Sequence, residues 1–300
     1  MAKIAIGSWA YMFGPYESHP VPLDEVLERL HALGFDGVEL AGFTPHASPQ
    51  DYPTPADRKT LKNKLADNEL EPCGYAANFY ANTPASPDPG VRRNWVDCFK
   101  ENTKFCVDVG IPAIRVDTGN GPPLLQGVSY EDCWRRVVEA FHTGAQIAGD
   151  AGIELVWEFE PGFMFNKPSE VIRMLQDVDH PNFSILFDTC HAHMCSVVAA
   201  RQTEPTETLR GGVVEFARKL TGKIGHIHLI DSDETLHNED TSTHAPFGTG
   251  VLDFDTIMPA ILRAGYDSPW WSIDLCFWPE AWEVTEQSKR FMDELNAKYG

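Results

Sequence analysis

One pattern constrains this chain more than any other. A short apolar run that reads as a strand is followed by an amphipathic helix, and the pair recurs about eight times from end to end. Ile4-Ala5-Ile6 is the first strand. Leu23, Val26, Leu27, Leu30 and Leu33 make the stripe of the helix after it, which Gly34 ends. Gly37-Val38-Glu39-Leu40 is the second strand, with a helix from about Ala56 to Asn68. Pro72 to Ala77 is the third, and Trp95, Phe99 and Cys106 mark its helix. Ala113 to Val116 is the fourth, with Cys133, Val137, Phe141 and Ala148 on its helix. Ile153 to Phe159 and Phe183 to Phe187 follow, then a helix carrying Val213, Phe216, Ala217 and Leu220. Ile224 to Ile230 is the seventh strand, before a helix capped by Asp253 or Asp255. Trp270 to Leu275 and a helix from about Ala281 complete the series.

Each strand is short and apolar, as parallel strands covered on both faces must be. Regular alternation of this kind gives a closed barrel or a doubly wound sheet. Gly119-Asn120-Gly121 does not open a GxGxxG fingerprint and there is no P-loop, so the signature of the open sheet is missing. The expected fold is an α/β (β/α)8 TIM barrel, a single domain over residues 1–300. A core of that size needs no covalent staple. The seven cysteines agree: their number is odd and no CxxC occurs. Cys190 and Cys195 flank two histidines, but are read as buried thiols.

Met1 leads directly into a strand, with no signal-peptide pattern and no apolar run of membrane-spanning length, so a cytoplasmic protein is expected. The formal net charge of −20 would repel a phosphate backbone, which argues against nucleic acid as a partner and weakens the case for a highly phosphorylated substrate.

Barrels of this kind carry their chemistry at the C-terminal ends of the strands. In the second half of the chain those ends are polar. The fifth strand finishes in Glu158-Phe159-Glu160 and the sixth in Asp188-Thr189-Cys190-His191. The seventh holds His226-Ile227-His228 and the eighth ends in Ser272-Ile273-Asp274. Alternate residues on a strand share a face, so Glu158 pairs with Glu160 and His226 with His228. Any one of these groups alone reads equally as a cap, an ion-pair partner or a satisfied core residue. Four successive strand ends bearing carboxylate, carboxylate, imidazole and carboxylate point to a divalent-metal site. Its oxygen and nitrogen donors suit Mn²⁺, Mg²⁺, Co²⁺, Fe²⁺ or Zn²⁺ and lack the thiolates of structural zinc.

The chain resembles the sugar phosphate isomerase/epimerase family, the xylose-isomerase-like barrels. The resemblance is carried by Gly34-Phe35-Asp36-Gly37-Val38-Glu39-Leu40, Asp188-Thr189-Cys190-His191, His226-Ile227-His228-Leu229-Ile230-Asp231 and Gly248-Thr249-Gly250-Val251-Leu252-Asp253-Phe254. It implies one divalent ion, Mn²⁺ first, held by Glu158, Asp188, His228 and Asp274, with His191 on a substrate hydroxyl or carbonyl. Two positions depart from the family's pattern. The eighth-strand ligand is usually Glu, and Asp274 is one methylene shorter. The residue two after the strand-five Glu is often His, and here it is Glu160. The arginine common after the strand-seven His is absent, and Asp231-Ser232-Asp233-Glu234 stands there, which implies an uncharged sugar.

The activity implied is proton abstraction next to a carbonyl through an enediolate, with Glu158, Glu160, His191 and Asp274 as the acid/base candidates. Return of the proton makes an isomerase or epimerase. Loss of a β-substituent makes a lyase, either an inosose dehydratase or an enzyme cleaving 3-oxo C-glycosides. A non-catalytic sugar-binding barrel and an AP endonuclease are the remaining readings, and the charge of −20 opposes the second. The expected partners are a small sugar or glycoside and further copies of the chain, or a small second subunit in the C-glycoside case. For the walls, Trp9, Tyr11, Phe79, Tyr80, Phe277 and Trp278 follow strands and suit the apolar face of a sugar or aglycone. Glu39, Arg115, His226 and His244 complete the expected substrate contacts, with a structural pairing of Glu39 and Arg115 in the barrel as the alternative.

Overall fold

The computed structural model describes residues 1–119 and 127–300, so Asn120 and Gly121 of the glycine pair noted above lie outside the described residues. The strands in chain order are β1 (Lys3–Gly7), β2 (Gly37–Gly42), β3 (Glu71–Ala77), β4 (Ala113–Val116), β5 (Glu154–Glu158), β6 (Phe183–Asp188), β7 (Ile224–Leu229), β8 (Asp231–His237), β9 (Thr241–Ala245) and β10 (Trp270–Ile273). Eight of them close into a parallel barrel in the order β1-β10-β7-β6-β5-β4-β3-β2, as the alternation predicts. The helices that follow these strands cover the barrel: α1 (Leu23–Ala32), α2 (Pro55–Asp67), α3 (Pro89–Val109), α4 (Tyr130–Asp150), α5 (Pro168–Val178), the short α6 (Thr189–His193), α7 (Gly212–Lys219), α8 (Phe254–Arg263) and α9 (Ala281–Tyr299).

The stripes read from sequence are the buried faces. Val26, Leu27 and Leu30 of α1, Trp95, Phe99 and Cys106 of α3, and Cys133, Val137, Phe141 and Ala148 of α4 all pack into one core cluster. Helix starts follow local chemistry. Thr54 and Asp57 form a reciprocal capping box on α2, and Asp253, not Asp255, caps α8. Cys190 and Cys195 are buried thiols outside any disulfide.

β8 and β9 form an antiparallel hairpin between β7 and α8, which the strand–helix count does not anticipate. The hairpin rests on a single carboxylate at its base. Asp231 accepts backbone N–H bonds from Ser232, Gly248, Gly250 and Leu252 at 2.8–3.1 Å. Gly250 is required there, since a Cβ would lie 2.3 Å from the Ser232 carbonyl oxygen. Asp231 and the Gly248–Asp253 phrase, far apart in sequence, are therefore one structural device.

After β1 the chain turns in a 3-10 helix, Ser8–Tyr11, rather than continuing extended. At about 120° per residue, side chains two apart on such a turn point in different directions. Trp9 and Tyr11 accordingly part company. Tyr11 is fully buried outside the barrel, bonded to the Thr285 hydroxyl at 2.8 Å and stacked on Trp282. It is a core residue and not a substrate contact. Phe79 likewise packs against Trp95 and Phe99 in the core, leaving exposed Tyr80 at the surface.

Candidate metal and acid–base centre

β5 and β6 end in Glu158 and Asp188, His228 lies near the end of β7, and Asp274 directly follows β10. Strand register sets Asp188 opposite His228, and His228 opposite Ser272, two residues before Asp274. One donor atom from each of Glu158, Asp188, His228 and Asp274 lies within 4.8 Å of all the others, and all four residues are buried. His228 Nδ1 is 3.0 Å from Glu158 Oε1 and 3.3 Å from Asp274 Oδ2. Ionised carboxylates only accept, so a proton or a cation has to sit between them and this nitrogen.

Three of the four are clamped by residues from the first half of the chain. The Trp9 indole N–H donates to Asp274 Oδ1 at 2.6 Å. Glu39 accepts from His228 Nε2 at 2.9 Å, from His226 Nε2 at 2.9 Å and from the Ser272 hydroxyl at 3.1 Å. The Arg115 Nε donates to Glu158 Oε2, while its Nη1 meets Asp117 at 3.0 Å. Gly74 makes room for the Glu39 carboxyl inside the barrel, where a Cβ would come within 2.9 Å. With Nε2–H fixed on Glu39, His228 presents the Nδ1 lone pair to the cavity, the orientation a metal-bound imidazole takes. Glu39 and His226 thus form a hydrogen-bonded layer beneath the four donors. Trp9 is likewise committed to Asp274.

The fourth, Asp188, caps α6 by accepting from the His191 N–H at 2.7 Å through Oδ1. Its Oδ2 is buried without a hydrogen-bond partner. An orphaned carboxylate oxygen facing three other donors is what a cation would satisfy. The residues therefore fit a divalent ion, and they do so with Asp in the eighth-strand position.

Electrostatics divide the acids. Burial pushes Glu158 up, but Arg115 and His228 more than offset it and bring its pKa down to about 2. Asp274 is raised by burial and pulled well below the usual range by His244 and His228. Asp188 is raised by burial and by Asp274. Glu160 is pushed up to about 8 by burial and by Glu158.

Glu160 faces the same cavity as Glu158. It accepts from the Thr241 hydroxyl and stands 3.2 Å from His191 Nε2. The hairpin roofs this side. Ser242 Oγ meets His191 Nδ1 at 2.9 Å, and His244 lies 3.6 Å from Asp274 Oδ2 with its ring 4.8 Å from that of His191. Trp278 donates to the His244 carbonyl at 2.6 Å, and Phe277 stacks on His237 at 4.2 Å. Trp278 therefore braces the roof. Asp117, Thr241 and Ser242 were not picked out from sequence. The Thr-rich run Thr241-Ser242-Thr243 after Asn238-Glu239-Asp240 is the one local signal toward the strand carrying Thr241 and Ser242.

A family model described as "Xylose isomerase-like TIM barrel" matches residues 27–295. Fructoselysine 3-epimerase of Escherichia coli O157:H7 is 23% identical over 257 residues, covering 82% of this chain and 83% of that one. Inosose dehydratase of Klebsiella pneumoniae (strain 342) is 24% identical over 249 residues, covering 76% of each. Among solved structures, a D-tagatose 3-epimerase-like protein superposes with a TM-score of 0.74 at 22% identity, covering 99% of this chain and 100% of that one. The IolI protein with a bound zinc atom gives 0.75 at 18% identity, covering 99% of both. These likenesses show the fold. With the family match spanning most of its length, this chain belongs to the xylose isomerase-like TIM barrel family.

Proposed function

We propose that this chain is a divalent-metal-dependent enzyme that moves a proton next to the carbonyl of an unphosphorylated sugar or keto-sugar, as an isomerase or epimerase. The observation that carries the reading is the convergence of Glu158, Asp188, His228 and Asp274 around the unpartnered Asp188 Oδ2. Relatives named as fructoselysine 3-epimerase, inosose dehydratase and D-psicose 3-epimerase support an enzyme of the epimerase or lyase kind. The four residues would hold the ion, with Mn²⁺ the first candidate. When bound, such an ion supplies Lewis-acid polarisation of a substrate carbonyl.

The chain's own residues divide the remaining work. Arg115 keeps Glu158 ionised and spends one of its oxygens, which makes Glu158 a weak base and a good ligand. Glu160, beside Glu158 in the same cavity and 3.2 Å from His191 Nε2, is the group suited to take and return a proton. His191, 3.2 Å away, is placed to hold the oxygen on the neighbouring substrate carbon. Burial of Glu158, Glu160 and His191 excludes bulk water from the proton's path. Arg115 is already shared by Glu158 and Asp117, which favours an uncharged substrate over a sugar phosphate.

The clasp of Trp9 on Asp274 favours a second reading. Epimerisation needs a proton donor on the face opposite the base, and Asp274 is held ionised with one oxygen occupied. Elimination of a β-substituent after the same proton abstraction needs no second base of that kind, so a lyase acting on an inosose or a 3-oxo-glycoside is the alternative. Incubating Mn²⁺-loaded protein with keto-sugars, inososes and 3-oxo-glycosides, free and phosphorylated, distinguishes these. The proposal predicts turnover of a free sugar with the higher kcat/KM. Turnover confined to phosphorylated sugars, or none across the panel, would contradict it.

A further inference from the structure

We propose that the groove between α3 and α4, on the outside of the barrel, is a binding site for a compact polyanion bearing phosphate groups. The inference does not depend on the functional reading, because the groove shares no residue with the metal and acid–base centre. Its ligand is not the sugar that the strand ends would take.

The groove has a volume of about 460 Å³, within the range of sites for small molecules. Arg92, Arg93 and Lys100 line it from α3, and Arg136 lines it from α4. Arg92, Val96 and Lys100 are four apart and share one face of α3, as Arg136, Ala140 and Thr143 share one face of α4. Val96 and Ala140 join the hydrophobic core, so the cations stand around an apolar floor.

This concentration of cations runs against the rest of the chain, which has 24 basic and 44 acidic residues. In the groove the balance is reversed, with four cations and two acids, Asp97 and Glu139. Glu139 is taken by Arg135 at 3.1 Å, and Asp97 stands 3.8 Å from Lys100. Arg92, Arg93 and Arg136 pair with no carboxylate among the described residues. Elsewhere Arg58, Arg173 and Arg290 each meet one, at 2.8, 3.1 and 2.9 Å. Three guanidiniums left without acids in so acidic a chain form a local positive field that an outside anion completes.

The donors are also held ready. Arg92 Nη1 donates to the Ser86 and Pro87 carbonyls at 2.7 and 3.1 Å, and Arg136 Nη1 reaches the Ala85 carbonyl at 3.5 Å. Those carbonyls lie in the segment between β3 and α3. One nitrogen of each guanidinium is thus tied to the backbone, while Nε and Nη2 have no partner among the described residues. A planar guanidinium fixed in this way offers its remaining N–H groups as a fork that matches phosphate oxygens. It also loses less side-chain freedom on binding than a free one would.

The size of the groove and the net charge of −20 define the ligand. Four cations call for more than one anionic group, and phosphates supply them in a small volume. A long polyanion such as nucleic acid would run out of the groove onto acidic surface and be repelled.

Calorimetric titration of the metal-loaded protein with bisphosphoglycerate tests the proposal. One molecule per chain is expected to bind, more weakly as potassium chloride is raised, since Arg93 and Lys100 are exposed to screening. The double variant Arg93→Gln/Arg136→Gln should lose about tenfold or more in affinity, the scale of lost hydrogen bonds to charged groups. Arg290→Gln, which removes a like charge far from the groove, and Asp188→Asn, at the metal centre, should each stay within about twofold of wild type. Absence of saturable binding to the wild-type chain would overturn the proposal, as would equal affinity in the double variant. An equal loss in Arg290→Gln would reduce the effect to overall charge, and a loss in Asp188→Asn would put the anion on the metal centre; either result overturns it too. Turnover enters none of these readings, so failure of the proposed sugar activity and failure of this site are told apart.

Discussion

The two halves of the barrel contribute different things to the same centre. The later strands β5, β6, β7 and β10 present the side chains that converge: Glu158, Asp188, His228 and Asp274. The earlier half presents groups that hold them: Trp9, in the turn after β1, on Asp274, Glu39 of β2 on His228 and Arg115 of β4 on Glu158. Asp188 alone is held within its own half, by the His191 N–H at the start of α6. The comparison teaches that donor identity and donor orientation are encoded separately. A closed barrel makes this economical, since β1 pairs with β10 and the early strands complete the ring around the same interior.

If that division is right, substitutions in the later half should cost most. Asp188→Asn and His228→Ala should lose the bound ion and essentially all turnover while keeping a native circular dichroism spectrum. Metal analysis and steady-state kinetics on the same preparations check this, and an active, metal-replete Asp188→Asn protein would break the comparison. Glu160→Gln should keep the ion and lower kcat by about 10²-fold or more, the size of a lost general base. An unchanged kcat would remove Glu160 from the proton path. In the earlier half, Glu39→Gln and Trp9→Phe should weaken Mn²⁺ affinity by about 10- to 100-fold, as loss of an orienting partner does. Calorimetric titration reads that shift, and an effect as large as that of Asp188→Asn would erase the distinction between donor and clamp. Smallest of all, Tyr11→Phe should cost about 1 kcal/mol of stability and leave kcat and KM unchanged, because its hydroxyl meets only Thr285 in the core.

Much of the later half was legible in the sequence because its chemistry is periodic. Strand ends recur, and residues two apart on a strand share a face, so Glu158 with Glu160 and His226 with His228 could be placed before any coordinates. The clamps were harder to read. Trp9, Glu39 and Arg115 were named, but as substrate contacts or an internal pair, since the partner of each lies 43 to 265 residues away. No local pattern carries such a pairing. Tyr11 was misjudged because a 3-10 turn replaces the extended chain assumed after β1. The hairpin went unseen because Asp231-Ser232-Asp233-Glu234 reads as an acidic loop. Its strand pairing is fixed by tertiary contacts such as Thr241 on Glu160 and by the backbone N–H groups gathered on Asp231.

The central claim is that the converged carboxylates and imidazole hold a cation that makes a carbon-bound proton exchangeable. It is tested most directly in D2O, by following deuterium entry next to the carbonyl of whichever keto-sugar the protein turns over. The wild-type protein should incorporate deuterium when loaded with Mn²⁺, stop when stripped by a chelator, and resume when Mn²⁺ is restored, while Asp188→Asn should incorporate none under any of these conditions. Exchange that continues at the same rate in the stripped protein, or in metal-free Asp188→Asn, would contradict the account.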